Sequence, residues 1–149
     1  CSLRSGSTAT EKERYIYFKP MWRWGAAMQN DFAARADWCV EPYEKANHAP
    51  VVVLAHATDL QARAGDTVEL SAEETKDPDG DKLTYRWWQY QEAGTYGRCL
   101  DLQDANSQRL WLQIPFDIQK GETIHVICEV SDDGTPSLTR YQRVVITIK

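Results

Sequence analysis

Residues 77–90 read Asp77-Pro78-Asp79-Gly80-Asp81-Lys82-Leu83-Thr84-Tyr85-Arg86-Trp87-Trp88-Gln89-Tyr90 and join an acidic turn to an alternating aromatic strand. Proline at the second position of Asp-Pro-Asp-Gly presets a turn conformation, and Gly80 tolerates a positive φ, so the chain is predicted to reverse here. After the turn, successive side chains point to opposite faces of a strand. The side chains predicted to face a core are Leu83, Tyr85, Trp87 and Gln89.

Working outward, the chain after Asn47 consists of short period-two segments separated by turn residues. The other such segments are Val51–His56, Thr67–Ala72, Arg109–Ile114, Thr123–Val130 and Arg140–Ile148. About seven short strands with turns between them predict a mainly β fold, an immunoglobulin-like antiparallel β-sandwich. In the strand lettering of immunoglobulin folds, Trp87 would fill the core tryptophan position of strand C. Strand B has Leu70 where a cysteine would be needed, so a disulfide between strands B and F is excluded.

The first part of the chain has a different pattern. Residues 14–20 predict a short extended run that ends at Pro20. Apolar residues near helical spacing then predict one amphipathic helix from Gly25 to Val40; they are Met28, Phe32, Ala36, Cys39 and Tyr43. We therefore divide the chain into an N-terminal extension, residues 1–46, which is the tail of an upstream domain or an interdomain splint, and a sandwich domain, residues 47–149.

Charge and cysteine spacing exclude several functions. A net charge of −5 without a basic cluster argues against nucleic-acid binding. No apolar run reaches membrane-spanning length. The cysteines at positions 1, 39, 99 and 128 lack zinc-site spacing. Cys128 alternates with apolar residues and is predicted to be a buried thiol, and a bridge between Cys39 and Cys99 is left open.

Outward-facing aromatic residues suggest a glycan-binding surface. Sugar rings stack their C–H faces on flat side chains, and neighbouring polar groups bond the hydroxyls. The candidates are Trp88, Tyr90 and Trp111, with Arg86 and Gln113 as polar companions and Tyr96 in a nearby loop. The alternative is that these aromatic residues are covered by the leading helix or by another domain.

Acidic residues are predicted to gather at one end of the sandwich, where two loops meet the start of the domain. The set is Asn47, Asp77, Asp79, Asp81, Asp132 and Asp133. Calcium takes about six to eight oxygen ligands from such loops, so Ca²⁺ is a candidate cofactor that would stiffen the junction. The alternative is that these aspartates only form turns.

No spacing requires catalysis within this chain. The carboxylates Glu73, Glu74 and Glu129 and the three histidines, His48, His56 and His125, offer acid and base groups without a recognisable constellation. A serine nucleophile elbow, a phosphate loop and a zinc motif are absent from the sequence. We therefore expect a chain that is not itself an enzyme.

Four segments carry a family resemblance. Asn47–Val51, Asp77–Trp87 and Val130–Gly134 resemble the PKD-like and cadherin-like branch of bacterial immunoglobulin-like modules. Met21–Trp38 followed by such a module resembles the C-terminal region of bacterial secreted proteins that join a nucleoside-hydrolase-like domain to a domain described as cellulose-binding.

The resemblance implies an accessory module that binds a cellulose-like polysaccharide and is attached to a nucleoside-hydrolase-like domain. It also implies a secreted, periplasmic or cell-surface location in bacteria. The acidic pattern of nucleoside hydrolases, Asp-x-Asp-x-x-x-Asp-Asp, does not occur in this sequence, so any such activity would belong to an upstream domain. The alternative function is a structural interdomain module, stiffened by calcium, without glycan binding of its own.

Overall fold

The computed structural model describes residues 11–149, with side chains from residue 21 onward. One long helix, α1, and a short 3-10 helix at Tyr43–Lys45 precede six strands in this part of the chain. The elements are α1 (Glu11–Asp37), β1 (Asp59–Ala62), β2 (Thr67–Ser71), β3 (Thr84–Gln89), β4 (Arg109–Gln113), β5 (Thr123–Ser131) and β6 (Thr139–Ile148).

The strands form two facing sheets, so the predicted mainly β sandwich is confirmed. One sheet has the order β1-β6-β5-β3, and the other pairs β2 with β4. The pairs β3–β5, β5–β6 and β2–β4 are antiparallel, whereas β1 runs parallel to β6. The sandwich is thus antiparallel except at the edge formed by β1.

The predicted strand Val51–His56 is wrong as a regular strand. Only an isolated bridge between Val51 and Lys76 forms there. Further along, Val53 bonds through its N–H and its C=O to the Thr75 hydroxyl, at 3.1 and 3.3 Å. Because a side chain replaces the backbone partner, no ladder develops, and the edge beside β6 is taken by Asp59–Ala62 instead.

Trp87 is the largest side chain between the two sheets. It is 2% exposed, and its indole N–H donates to the Ser107 carbonyl at 2.9 Å. Leu70 and Leu112 face it from the smaller sheet, both fully buried. A buried indole needs a partner for its N–H, and this one has it. The predicted core position of Trp87 is therefore confirmed.

Helix α1 begins much earlier than the periodicity predicted. It runs through residues 14–20, which are helical and not extended, and ends at Asp37, three residues before the predicted Val40. Bulky aromatic residues carry only a small helix penalty, and strong helix formers such as Glu11 precede them. Within residues 11–149, no helix combines the length and the hydropathy of a membrane span.

The face of α1 that packs on the sandwich is also different from the predicted one. Met28 and Phe32 are 67% and 76% exposed. The packed side is marked by Trp24, by Ala34 with 1% exposure, and by Asn30, whose amide donates to the Ser137 carbonyl at 2.8 Å. Aromatic residues of the larger sheet contact Trp24. The side of the helix that carries Trp24 therefore faces the sandwich, and the side that carries Met28 and Phe32 does not.

Two of the cysteines are free thiols with opposite environments. Cys39 is exposed and Cys128 is buried, as predicted for Cys128. Because Cys39 is free, the bridge between Cys39 and Cys99 that the sequence left open does not form. Burial raises the pKa of the Cys128 thiol to about 12.

Candidate functional sites

The first aromatic surface lies on the outer face of the larger sheet and is covered by the helix. Trp24 of α1 has its ring centroid 5.6 Å from that of Trp88 and 6.5 Å from that of Tyr90. The guanidinium of Arg23 lies over both rings, at 5.0 and 5.7 Å from their centroids. Cation–π and edge contacts of this kind stabilise the packing.

Polar contacts complete this cover. The indole N–H of Trp88 donates to Glu129 at 3.0 Å, and Arg23 forms an ion pair with Glu92, also at 3.0 Å. Trp88 and Tyr90 are half-buried in consequence. Their faces are shared with α1, so they offer little free ring area to a sugar, and the interpretation that the helix covers them gains support.

Trp111 lies on the opposite side of the sandwich, on the outer face of the β2–β4 sheet. It is 54% exposed, and the alternation of β4 buries its neighbours Leu110 and Leu112 beneath it. Its register partner on β2 is Glu69. The three predicted aromatic platform residues therefore do not form one surface, because β3 and β4 belong to different sheets.

The surface around Trp111 is polar. Gln113 accepts from the Thr67 hydroxyl at 3.1 Å and donates to the Gly65 carbonyl at 2.8 Å. Arg109 pairs with Glu73 at 2.5 Å and with Glu69 at 3.5 Å. We call the side chains on this side of β2 and β4 the Trp111 face; they are the exposed Thr67, Glu69, Arg109, Trp111 and Gln113 and the buried Ser71.

Phe116 adds a second exposed ring near this face, and it was not among the residues predicted from the sequence. It is 83% exposed, and its ring lies so close to Gly65 that a Cβ there would be 2.5 Å from it. Gly65 also has φ +83°, a conformation that suits glycine. In the sequence, its exposure could have been inferred only from its position directly after Pro115, where the strand ends.

Two of the predicted glycan residues lie elsewhere. Tyr96 is 6% exposed, and its hydroxyl donates to Asp117 at 3.0 Å. Burial raises the pKa of Tyr96. Tyr96 belongs to the hydrophobic core, so its ring is not available to a sugar. Arg86 is exposed on β3, on the same side as Trp88 and away from the Trp111 face.

The acidic residues do come together at one end of the sandwich. The backbone N–H of His48 donates to Asp79 at 2.6 Å, and that of Lys82 donates to Asp133 at 2.9 Å. The side chain of Asn47 donates to Asp132 at 3.2 Å. The turn at residues 77–81, the turn at residues 132–134 and the start of the domain are thus connected, and we call this region the acidic junction.

Negative charge accumulates within the acidic junction. Partial burial raises the pKa of Asp81, and the neighbouring carboxylates, Asp77 first among them, raise it further. Oxygen atoms of Asp77, Asp79 and Asp81 all lie within 4.8 Å of one another. Oxygen-rich sets of this kind suit hard cations such as Ca²⁺.

The candidate acid and base residues remain dispersed. Glu73 pairs with Arg109 beside the smaller sheet, whereas Glu129 accepts from Trp88 on the larger one. Glu74 is exposed. His48 bonds Asp79 at 3.0 Å, and His56 lies against the Ala57 carbonyl at 2.8 Å. Burial, followed by the charge of Arg143, lowers the pKa of His125.

Comparison with known proteins identifies a family and similar solved structures. The family described as "Cellulose-binding protein Sde0182, C-terminal domain" matches residues 67–148. A nucleoside hydrolase-related hypothetical protein from Saccharophagus degradans, associated with carbohydrate metabolism, is similar with 41% sequence identity and a TM-score of 0.81. The match covers 85% of this chain and 32% of that one, so this chain spans about a third of the relative's length.

A more distant similarity concerns a PKD domain. The PKD domain of the KIAA 1837 protein is 22% identical, with a TM-score of 0.44, over 61% of this chain and 78% of that domain. No curated protein matches this chain.

Proposed function

The chain belongs to the family of the C-terminal domain of cellulose-binding protein Sde0182, and from that premise we propose that it is a non-catalytic accessory module that binds a cellulose-like polysaccharide. The module is attached to a nucleoside-hydrolase-like domain of the same parent protein. The observation that carries the proposal is the exposed indole of Trp111 among polar side chains on the outer face of the β2–β4 sheet.

The geometry of the Trp111 face suits a sugar chain. An indole that is 54% exposed presents a flat apolar surface on which the C–H face of a pyranose can stack. Gln113 and Glu69 flank it on the two strands and carry donors and acceptors for hydroxyl groups. Because β2 and β4 hold these groups in register, little side-chain ordering is needed on binding.

Phe116 adds an exposed ring three residues beyond the end of β4. Its ring packs on Gly65, and the Gly65 carbonyl accepts from Gln113, so Phe116 is connected to the Trp111 face through Gly65. A linear polysaccharide that stacks on Trp111 would extend toward Phe116. Trp88 and Tyr90 are left out of this site, because α1 covers them.

Retention on insoluble cellulose tests the proposal, with affinity electrophoresis through gels that contain soluble β-glucans as a second measurement. Replacing Trp111 with alanine should weaken retention about tenfold, which corresponds to about 1.4 kcal/mol of lost contact. Trp22→Ala is the matched control, since Trp22 is also exposed, at 73%, but lies on the helix. Equal retention of wild type and Trp111→Ala on every glycan would overturn the proposed site.

A structural role is the second candidate, and one observation favours it. The side of α1 that faces away from the sandwich carries an apolar stripe of Met21, Trp22, Met28 and Phe32, with exposures between 66% and 76%. A surface of this kind marks an interface more often than free solvent contact. The nucleoside-hydrolase-like domain of the parent would cover it, and α1 would act as the splint between the two domains.

Hydrogen exchange separates these roles. In the isolated chain, Phe32→Ser should change the free energy of unfolding by no more than about 0.5 kcal/mol, as expected at an exposed position. In the parent protein, amides of residues 21–32 should exchange more slowly than in the isolated chain, and Phe32→Ser should remove that difference. Identical exchange in both contexts would contradict the splint.

Location and lack of catalysis complete the proposal. Cellulose-like polysaccharides lie outside cells, which supports a secreted, periplasmic or cell-surface protein. The dispersed positions of Glu73, Glu129 and His125 support a module without its own chemistry, because general acid–base catalysis needs two such groups around one substrate.

A further inference from the structure

We propose that the acidic junction is a calcium site in which Asn47, Asp77, Asp81 and Asp132 supply the central oxygen ligands. Asp79 lies within the same group of carboxylates but also accepts from the His48 N–H, and Asp133 accepts from the Lys82 N–H beside it. This inference does not depend on polysaccharide binding, since the acidic junction lies at a loop end of the sandwich and the proposed glycan site lies on a sheet face.

Three oxygen atoms at the acidic junction are buried without a hydrogen-bond partner among the described residues. They are Oδ1 of Asn47, Oδ2 of Asp77 and Oδ2 of Asp132. Asn47 and Asp132 are 7% and 5% exposed, so both side chains are more than nine-tenths buried. A buried carboxylate oxygen with no partner is costly. A bound cation would compensate all three at once.

In Asp132 and Asp77, one carboxylate oxygen accepts hydrogen bonds and the other accepts none from the described residues. Oδ1 of Asp132 accepts from the backbone N–H groups of Gly134 and Leu138, at 3.1 and 2.8 Å, and from Asn47 at 3.2 Å. Oδ1 of Asp77 accepts from the N–H groups of Asp79 and Asp81, at 2.9 and 3.1 Å. The second oxygen is thereby oriented in advance, as a metal ligand must be.

The amide of Asn47 is fixed in the same way. Its Nδ2 donates to the Pro136 carbonyl at 2.8 Å and to Asp132, which fixes the direction of Oδ1. Gly134 lies directly against this amide, and a Cβ on Gly134 would be 2.3 Å from Nδ2. A larger residue at position 134 would therefore displace Asn47 from the acidic junction.

The chemistry of the donor set favours calcium. Oxygens of Asp77, Asp79 and Asp81 lie within 4.8 Å of one another. Separations within this bound fit two ligands of one calcium ion, whose bonds to oxygen are 2.3–2.6 Å long, and calcium accepts the irregular arrangement of carboxylates on loops more readily than magnesium, which demands near-ideal octahedral geometry. Because the central ligands are all oxygens, zinc and copper are disfavoured.

The site would join the helical extension to the sandwich. The Asn47 carbonyl accepts from the Trp38 indole at 2.8 Å, just beyond the end of α1. The ring of the next residue, His48, stacks on Tyr43 with centroids 3.9 Å apart and bonds Asp79. A calcium ion bound to Asn47 therefore orders the point from which α1 leaves the sandwich.

Calorimetric titration of calcium chloride into the chelator-treated, dialysed chain tests the proposal. We expect one calcium ion per chain. At calcium concentrations about a hundred times the dissociation constant, the melting temperature should rise by roughly 5–10 °C. Magnesium at the same concentration should raise it much less. No heat of binding, together with equal melting temperatures in calcium and in chelator, would overturn the site.

Variants locate the ion. Asp132→Asn and Asp81→Asn should each weaken calcium binding at least tenfold, and Asp59→Asn, an exposed aspartate on β1, should leave it unchanged. Asp81→Asn is the safer variant, because no backbone N–H of the described residues is held by its carboxylate. Calcium affinity that is unchanged in Asp81→Asn and in a folded Asp132→Asn would overturn the assignment. Circular dichroism in chelator establishes that each variant is folded.

Discussion

The indole of Trp24 on α1 lies edge-on against the ring of Tyr141 on β6, with centroids 4.6 Å apart and planes at 87°. This contact places the helix over the outer face of the larger sheet. It also explains why Trp88 is not a free surface, because the same indole reaches it at 5.6 Å. The same side chain therefore attaches α1 to the sheet and covers Trp88.

Trp24→Ala should release the helix from the sheet. The indole contacts three rings, and its removal should cost about 2 kcal/mol of stability at the helix–sheet contact, less than a fully buried tryptophan because Trp24 is half-buried. Hydrogen exchange of residues 24–37 and chemical unfolding measure the effect. Trp22→Ala, at an exposed position, should change stability by no more than about 0.5 kcal/mol. Similar exchange in both variants would contradict the packing.

Trp88→Ala should lower the stability of the chain without lowering its retention on cellulose. The substitution removes contacts with Trp24 and Tyr90 and leaves Glu129 without its indole donor, so stability should fall by about 2 kcal/mol. Retention of the folded variant on cellulose should equal that of the wild type. A selective loss of retention at unchanged melting temperature would return Trp88 to the binding surface.

Acid should weaken the contact between helix and sandwich through Asp31. Hydrogen bonding from Arg35, and then from Arg140 on β6, holds the pKa of Asp31 below its ordinary value of 3.8 despite some desolvation. The folded pKa lies below the unfolded one, so the stabilising contribution is complete above about pH 4 and is lost as pH falls through the folded pKa. Hydrogen exchange of α1 at pH 5 and pH 3 measures it. Asp31→Asn should reduce this dependence on pH, and an unchanged dependence would contradict the assignment.

Cys39 and Cys128, both free thiols, should differ sharply in reactivity. Cys39 is exposed, and the pKa of the buried Cys128 is raised to about 12, so little thiolate forms there at neutral pH. Brief treatment of the native chain with iodoacetamide should label Cys39 and leave Cys128 unlabelled until the chain is unfolded. Peptide mapping by mass spectrometry distinguishes the sites, and Cys39→Ser is the control. Rapid labelling of Cys128 in the native chain would contradict its burial.

Local patterns predicted the sandwich because strand alternation and turn chemistry are properties of a few adjacent residues. The alternation after the Asp77–Asp81 turn placed Trp87 inside, and the structure confirms it. The same logic failed at Val51–His56, where the hydroxyl of Thr75 replaces a backbone partner. Such a substitution depends on a residue from another segment, which periodicity does not include.

The candidate sites were predictable in part for the same reason. The loops that carry Asp77 and Asp132 were expected at one end of the sandwich from strand order alone, and they do meet there. The aromatic platform was not predictable. Whether Trp88 meets solvent or Trp24 depends on how the helix packs, and Met28 and Phe32 fit a helical face just as well as the residues that are packed.

The amino-acid sequence by itself determined the β-sandwich, the buried position of Trp87 and the acidic turns, because the side-chain period of a strand and the φ preferences of turn residues act over neighbouring positions. Only the tertiary structure decided which outward aromatic residues remain available. It covers Trp88 with α1 and leaves Trp111 54% exposed on the other sheet. The physical reason is that exposure is set by the packing of distant segments, where an apolar ring is buried by whichever complementary surface the fold brings to it.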